Sequence, residues 1–237
     1  MTTRVDVEKL RSGVSASVEL AVKELENLME YLADEPPSIA KDMLLRSVPN
    51  IAETYGGMAA EVAADWYEET RLNELGRATR ASVELVDPAS VRADVRYALG
   101  PLFEGDAEKT LSRLAQSMAL HVAESGRGTI MKSAMRDRTK PQVAMVPTGN
   151  KTCAWCLMLA SRGWHSASSA PTENPHSFCD CQRVVRWRRE PIAGYDPDRL
   201  YEMYSNARKR SGSEDPNKIV AAMRRAYPDE VADAVHE

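Results

Sequence analysis

The residues with the most chemistry to offer are crowded into one short stretch. Cys153-Ala154-Trp155-Cys156 is followed, nineteen residues later, by His176-Ser177-Phe178-Cys179-Asp180-Cys181. All four cysteines of the chain lie here, in under an eighth of its length. Two cysteines separated by two residues present both sulfurs to one tetrahedral ion, and the amides of the turn between them can bond those sulfurs. A second pair, His176 with Cys179 or His176 with Cys181, completes four ligands. The expected chemistry is a structural zinc site. Cys153, Cys156, His176, Cys179 and Cys181 compete for its four places, with His165 a more distant sixth candidate. A site filled entirely by protein groups leaves no position for a substrate, so it is structural rather than catalytic. Residues 161–178, rich in Ser, Pro, Asn and Gly, read as a loop with no core of its own. There the free energy of binding an ion would be folding free energy. The plainer alternative is four buried thiols and a surface histidine.

Other uses of these cysteines fit less well. The first thirty residues lack a basic patch followed by an apolar block, so the chain is expected to stay in a cytoplasm or in an assembly built there. A reducing compartment disfavours a disulfide framework. A thioredoxin-like redox pair needs alternating strands and helices around Cys153, which are missing. A zinc deaminase needs a His-x-Glu ahead of Pro-Cys-x-x-Cys, also missing. There is no Gly-x-Gly-x-x-Gly, no phosphate-binding Walker loop, no Gly-x-Ser-x-Gly and no His-Glu-x-x-His. His121 falls at helical spacing after Met118 and reads as a helix-face residue. Glu24 with Glu26, and Glu68 with Glu69, read as solvated pairs. Trp66-Tyr67 reads as a packing anchor. No constellation demands catalysis, and a non-enzyme is expected.

The elements that must position the cysteine segment are mostly helical. Val7, Leu10, Val14, Val18, Ala21, Leu25, Leu28 and Leu32 recur three or four apart, forming one apolar helix face that Pro36-Pro37 terminates. Ser38 reads as the cap of a next helix, with Pro49 as a kink or a break. The helical pattern resumes from Ile51 to about Leu75, with Gly56-Gly57 as a weak point. Asp87-Pro88 opens a helix that Gly100-Pro101 stops. Another helix is expected from about Asp106 to Ser125, with Leu111, Leu114, Ala115, Met118 and Val122 inward and Gly126 and Gly128 ending it. Residues 143–146 and 182–187 read as short strands, and 157–160 as a helical turn. Helices are expected near Asp198–Arg210 and Pro216–Ala226. The fold class is therefore mainly α: a helical region over residues 1–110, a mixed α+β segment with the Cys/His loop over 111–190, and a helical basic tail over 191–237.

Composition sets the outer limits. The 237 residues are 43% hydrophobic but only 6% aromatic, so the core must rest on Leu, Val, Ala and Met. No run approaches a membrane span, and no membrane partner is expected. The net charge of −4 hides an asymmetry. Residues 1–110 carry 21 acidic and 12 basic side chains; residues 111–237 carry 14 and 19. The second part is the one suited to a polyanion. Arg183, Arg186, Arg188 and Arg189 surround Trp187, and Arg208, Lys209 and Arg210 follow one helix later. These seven are the candidate nucleic-acid contacts, against the simpler view that they are solvated faces.

The order of these signals resembles the MuF-like minor capsid, or head morphogenesis, proteins of tailed phages, in particular the form found in phages of actinobacteria. The matching pieces are Ala63-Ala64-Asp65-Trp66-Tyr67 with Arg71, Arg92–Gly100 ending in Tyr-Ala-Leu-Gly, and Arg127-Gly128-Thr129-Ile130. Val146-Pro147-Thr148-Gly149, Thr152–Gly163 and His176–Cys181 complete them. They span about residues 5–190, and the cysteine segment is the most specific. The resemblance implies a low-copy structural protein of the virion, added during head assembly near the portal or inner shell. Its partners would be capsid, scaffold or portal protein and packaged DNA. Zinc follows from the ligand chemistry rather than from the resemblance. Family members are sometimes fused to a protease or toxin domain, for which the 47 residues after Glu190 are too few. Two other functions use the same residues: a freestanding zinc-stapled nucleic-acid-binding module, and a head-maturation hydrolase built from the serines near His165 and His176.

Overall fold

The computed structural model of the chain describes residues 2–148, 152–170, 176–179 and 181–232. Its first helix, α1 (Arg4–Tyr31), starts at a capping box. The Asp6 amide donates to the Thr3 hydroxyl, and the Asp6 carboxylate accepts from the Thr3 amide at 2.7 Å. Val7, Leu10, Val14, Ala21 and Leu25 of the expected face are buried. Helix α2 (Pro37–Leu75) is longer than its sequence suggests. Pro37 sits in its first turn and Pro36 precedes it, so Ser38 is inside the helix and not its cap. Pro49 and Gly56-Gly57 do not break it. Leu44, Val48, Ile51, Ala52 and Ala59 around them are buried against neighbouring helices, and that burial outweighs one missing hydrogen bond and two weak helix formers.

Asp87 caps α3 (Pro88–Ala98), accepting from the Ala89 amide at 3.0 Å. α3 ends just before Gly100-Pro101, as its sequence suggests, and Gly100-Pro101 itself opens a separate single turn, α4 (Gly100–Phe103). Helix α5 (Ala107–Arg136) then runs straight through Gly126 and Gly128. These glycines serve close approach instead of termination. A Cβ at Gly126 would lie 3.1 Å from Val14 of α1 and 3.3 Å from the Ala59 carbonyl of α2. α1, α2 and α5 thus form one packed helical layer that extends to Arg136.

The remainder is small and mixed. It comprises β1 (Gln142–Val146), β2 (Thr152–Cys153), α6 (Ala154–Ala160), β3 (His165–Ser166), β4 (Gln182–Arg186), α7 (Pro197–Ser211), α8 (Pro216–Ala226) and β5 (Val231–Ala232). β1 is the centre of an antiparallel three-stranded sheet between β3 and β4, in register Val143 with His165 and Val143 with Val185. β2 and β5 pair in parallel, Thr152 opposite Val231. Among the described residues there are eight helices, and the fold is mainly α with a small sheet region. No helix among them is long and apolar enough to cross a membrane.

Two apolar cores result. The large one joins α1, α2, α3 and α5 to Val143, Val184 and Val185 of the sheet. The smaller one contains Leu157, Met158 and Leu159 of α6, Met203 of α7, Ile219 and Met223 of α8, and Val231. Cys156 and Cys181 belong to this second core. The cysteine segment is therefore not coreless: the tail helices supply the apolar surface it packs on.

Candidate metal centre

Cys153 ends β2 and is also the N-cap of α6, its Sγ accepting from the Cys156 amide at 3.3 Å. That turn turns the Cys156 side chain inward, where it is fully buried. The second half of the site is the turn 176–179. Phe178 holds a left-handed backbone with φ of 56°, a conformation costing an aromatic residue on the order of 1 kcal/mol. This bend puts His176 and Cys179 on the same side as the first pair. His176 Nε2 lies 2.8 Å from Cys153 Sγ, and Cys156 Sγ lies 2.9 Å from Cys179 Sγ. The Cys181 amide faces Cys179 Sγ at 3.4 Å. All four thiols are free.

The structure thus brings together all five residues expected from the sequence. Two triads share Cys156: Cys153, Cys156 and His176, and Cys156, Cys179 and Cys181. Within each triad the ligand atoms lie within 4.8 Å of one another. His176 Nδ1 sits 2.7 Å from the Ser177 carbonyl, which accepts its N–H and leaves Nε2 facing the sulfurs, the arrangement found for metal-bound imidazoles. His165 is elsewhere, paired through β3 with Val143, and its Nε2 is buried with no hydrogen-bond partner.

The electrostatics favour charge on Cys153, Cys179 and His176, and hold the protons on Cys156 and Cys181. A hydrogen bond with the Cys156 thiol, aided by His176, pulls Cys153 down to about 5 against the opposing effect of burial. Cys156 and Cys181 donors, with the Arg127 charge behind them, push Cys179 well below an ordinary thiol. Cys153 in turn raises His176 to about 9. Cys156 pays for its neighbours: shared hydrogen bonds with Cys153 and Cys179 and deep burial hold its proton on. Thiolates next to N–H donors and an imidazole suit a borderline-soft divalent ion such as zinc, which would displace the remaining protons. The donor set fits. Cys153, Cys156 and His176 with Cys179 or Cys181 would hold the ion, and its contribution would be a cross-link.

A residue outside the cysteine motif completes the site. Arg127 of α5 is 1% exposed. It donates through Nε to the Cys181 carbonyl at 3.1 Å and through Nη2 to the Cys179 carbonyl at 2.5 Å. Its Nη1 pairs with Glu124 at 3.0 Å. The sequence offers only its type, an arginine at an inward helical position, as a signal. Two buried carboxylates were equally silent. Asp137, at the end of α5, accepts from Arg71 at 2.7 Å and Tyr67 at 3.0 Å. Glu74 accepts from the Thr2 and Trp187 amides and so ties α2 to the end of β4. Glu68 is not simply solvated: it accepts from the Ala81 amide at 2.7 Å.

The seven basic candidates are dispersed among different tasks. Arg183 is buried. Arg186 stacks 4.0 Å from the Trp164 ring centre and donates to Gln142 Oε1. Arg188 donates to the Glu74 carbonyl, and Arg208 pairs with Glu214. Arg189, Lys209 and Arg210 are exposed. Trp66 is an anchor, its Nε1 donating to the Asp6 carbonyl, and His121 bonds Asp94 at 2.8 Å.

A model of the VG15 protein family matches residues 1–207. The gene 15 protein of Mycobacterium phage D29 is 33% identical over 136 residues, covering 53% of this chain and 48% of the relative. The chain spans about half the length of this curated relative. No solved structure matches it.

Proposed function

The chain belongs to the VG15 protein family, and from that premise we propose that it is a non-enzymatic structural protein of a tailed-phage head. The finer reading is a MuF-like minor capsid protein that acts in head assembly, near the portal or the inner shell. The observation that carries it is the family match over residues 1–207, with a relative encoded by a mycobacterial phage. The site chemistry agrees with a structural role. Its thiols and imidazole face one another and leave no group poised toward a substrate. Two observations weigh against the hydrolase alternative. His165 Nε2 has no partner, and His176 is engaged by Cys153 and Ser177.

In this reading a zinc ion held by the Cys/His cluster fixes α6 and the turn 176–179 against α5 and the tail helices. The helical layer then offers its outer faces to coat, scaffold or portal protein. Contact with packaged DNA falls to Arg189, Lys209 and Arg210, the candidates left exposed and without an assigned bond. The test is mass spectrometry of purified virions. The protein is expected in particles at far lower copy than the coat protein; a particle proteome that lacks it overturns the reading. Filter binding to duplex DNA at two salt concentrations tests the minor claim, because phosphate contacts weaken steeply with salt.

A further inference from the structure

Arg183 is only 8% exposed, and its guanidinium makes no direct hydrogen bond or ion pair with the described residues; its nitrogens are not sealed in the interior but open on a groove. Burying most of such a side chain costs part of the hydration of its charge. Burial accordingly pulls its pKa down, and Glu124 is the nearest compensating charge. The side chain leaves β4 and lines a groove of about 740 Å³ between α5 and the extended segment before α3. The groove walls are apolar: Val86 and Met131 inside, with Leu85 and Met135 69% and 63% exposed at the mouth. Its volume is that of a ligand site, with apolar walls bordered by acidic and basic side chains.

The charges around the groove decide what enters. Lys132 is paired with Glu84 at 2.8 Å, and Glu124 with Arg127 at 3.0 Å. Asp87 is occupied capping α3, and Arg136 donates to Ser82 Oγ. Arg183 and Arg136 are the groove cations with no carboxylate in direct contact among the described residues, and Arg183 is the one on the sheet side. Three carboxylates nearby (Glu84, Asp87 and Glu124) repel a polyanion, so a nucleic-acid backbone is a poor occupant despite the arginine. We propose that this groove binds an apolar peptide segment of a partner protein carrying a single acidic side chain, whose carboxylate pairs with Arg183 while flanking apolar groups cover Leu85, Val86, Met131 and Met135. Such a carboxylate gives the groove-facing guanidinium a direct partner, and the bidentate match gives it a defined orientation.

The experiment is a titration of the full chain, labelled with ¹⁵N and with ¹³C-methyl methionine. The probes are two capped tripeptides, Leu-Glu-Leu and Leu-Gln-Leu, which differ only in charge. Hexanoate and a short DNA duplex are the comparison arms. The acidic peptide is expected to shift the Arg183 Nε–H signal and the Met131 and Met135 methyls saturably, and to bind about tenfold or more tighter than the amide, as a charge-assisted hydrogen bond requires. Arg183→Met is expected to erase that preference. Should this variant unfold, Met135→Glu at the exposed mouth must weaken the acidic peptide selectively. Equal binding of the two peptides overturns the proposal. So does hexanoate matching the peptide, which would mark a small-acid site, or DNA displacing it, which would mark a phosphate site.

Discussion

Arg127 and Cys181 lie 54 residues apart and meet through a 3.1 Å hydrogen bond from Nε to the backbone carbonyl. With its second bond to the Cys179 carbonyl, Arg127 gives the cysteine turn a fixed seat on helix α5. The guanidinium satisfies two carbonyls that no strand or helix pairs, and its charge sits behind thiols that must lose protons to take a metal ion. Order in the Cys/His segment and packing of the helical layer are thereby coupled.

Removal of that coupler is expected to separate the two. Arg127→Met leaves the Cys179 and Cys181 carbonyls and Glu124 without their donor, a loss of about 3–5 kcal/mol for a buried charged network. Arg127→Lys keeps the charge but not the two-carbonyl fork, and is expected to recover only part of it. Urea unfolding measures the loss, and hydrogen exchange of residues 176–186 locates it. Unchanged exchange there in the Met variant would refute the seat.

Cys156 is common to both ligand triads, so Cys156→Ser is expected to abolish bound metal, whereas Cys179→Ser and Cys181→Ser differ in how much they retain. Elemental analysis of protein purified without chelator reads this directly. Chelation of the wild type is expected to speed proteolysis within residues 150–186 and to spare α1, α2 and α5. Equal cleavage with and without chelator counts against a metal.

Acid sensitivity should originate at Asp137. Burial works to raise its pKa, but hydrogen bonds from Thr139, Arg71 and Tyr67 outweigh it and hold the carboxyl below the ordinary 3.8. A carboxyl with a lowered folded pKa stabilises the protein above its unfolded value. That stabilisation is lost as pH falls through the folded one. Thermal unfolding followed by circular dichroism should show Tm dropping below pH 3.8 in the wild type. Asp137→Asn should begin lower and lose that part of the slope. A variant with the wild-type slope would assign the acid transition elsewhere.

Two helical glycines are expected to respond in opposite directions. Gly126→Ala drives a methyl toward Val14 and the Ala59 carbonyl, at 3.1 and 3.3 Å, and is expected to cost about 1–3 kcal/mol. Gly57→Ala meets nothing within 4 Å and lies inside α2, so it is expected to stabilise by about 0.5–1 kcal/mol. Denaturant midpoints of the two variants on opposite sides of the wild type test the helix packing.

Much of this was legible in the residues themselves. The three- and four-residue spacing of Val7 to Leu25 determined a buried helix face, and Asp87-Pro88 determined a helix start, because both are local effects of backbone geometry and capping. The spacing of Cys153, Cys156, His176, Cys179 and Cys181 specified which side chains would converge, since short turns leave few ways to point them. The short apolar run 143–146 between two prolines and the alternation in 182–187 marked strands. What the residues could not disclose is where local weakness is overruled. Pro49 and Gly126 look like breaks until α1, α2 and α5 are seen packed together, and Gly128 until Glu84 is seen against it; there tertiary burial exceeds the local cost. Nor could they show that Arg183 would be buried while Lys209 and Arg210 stay exposed, or that Arg127 would reach the cysteine turn. A charge's environment is set by residues distant in the chain, and only the folded arrangement brings those residues to it.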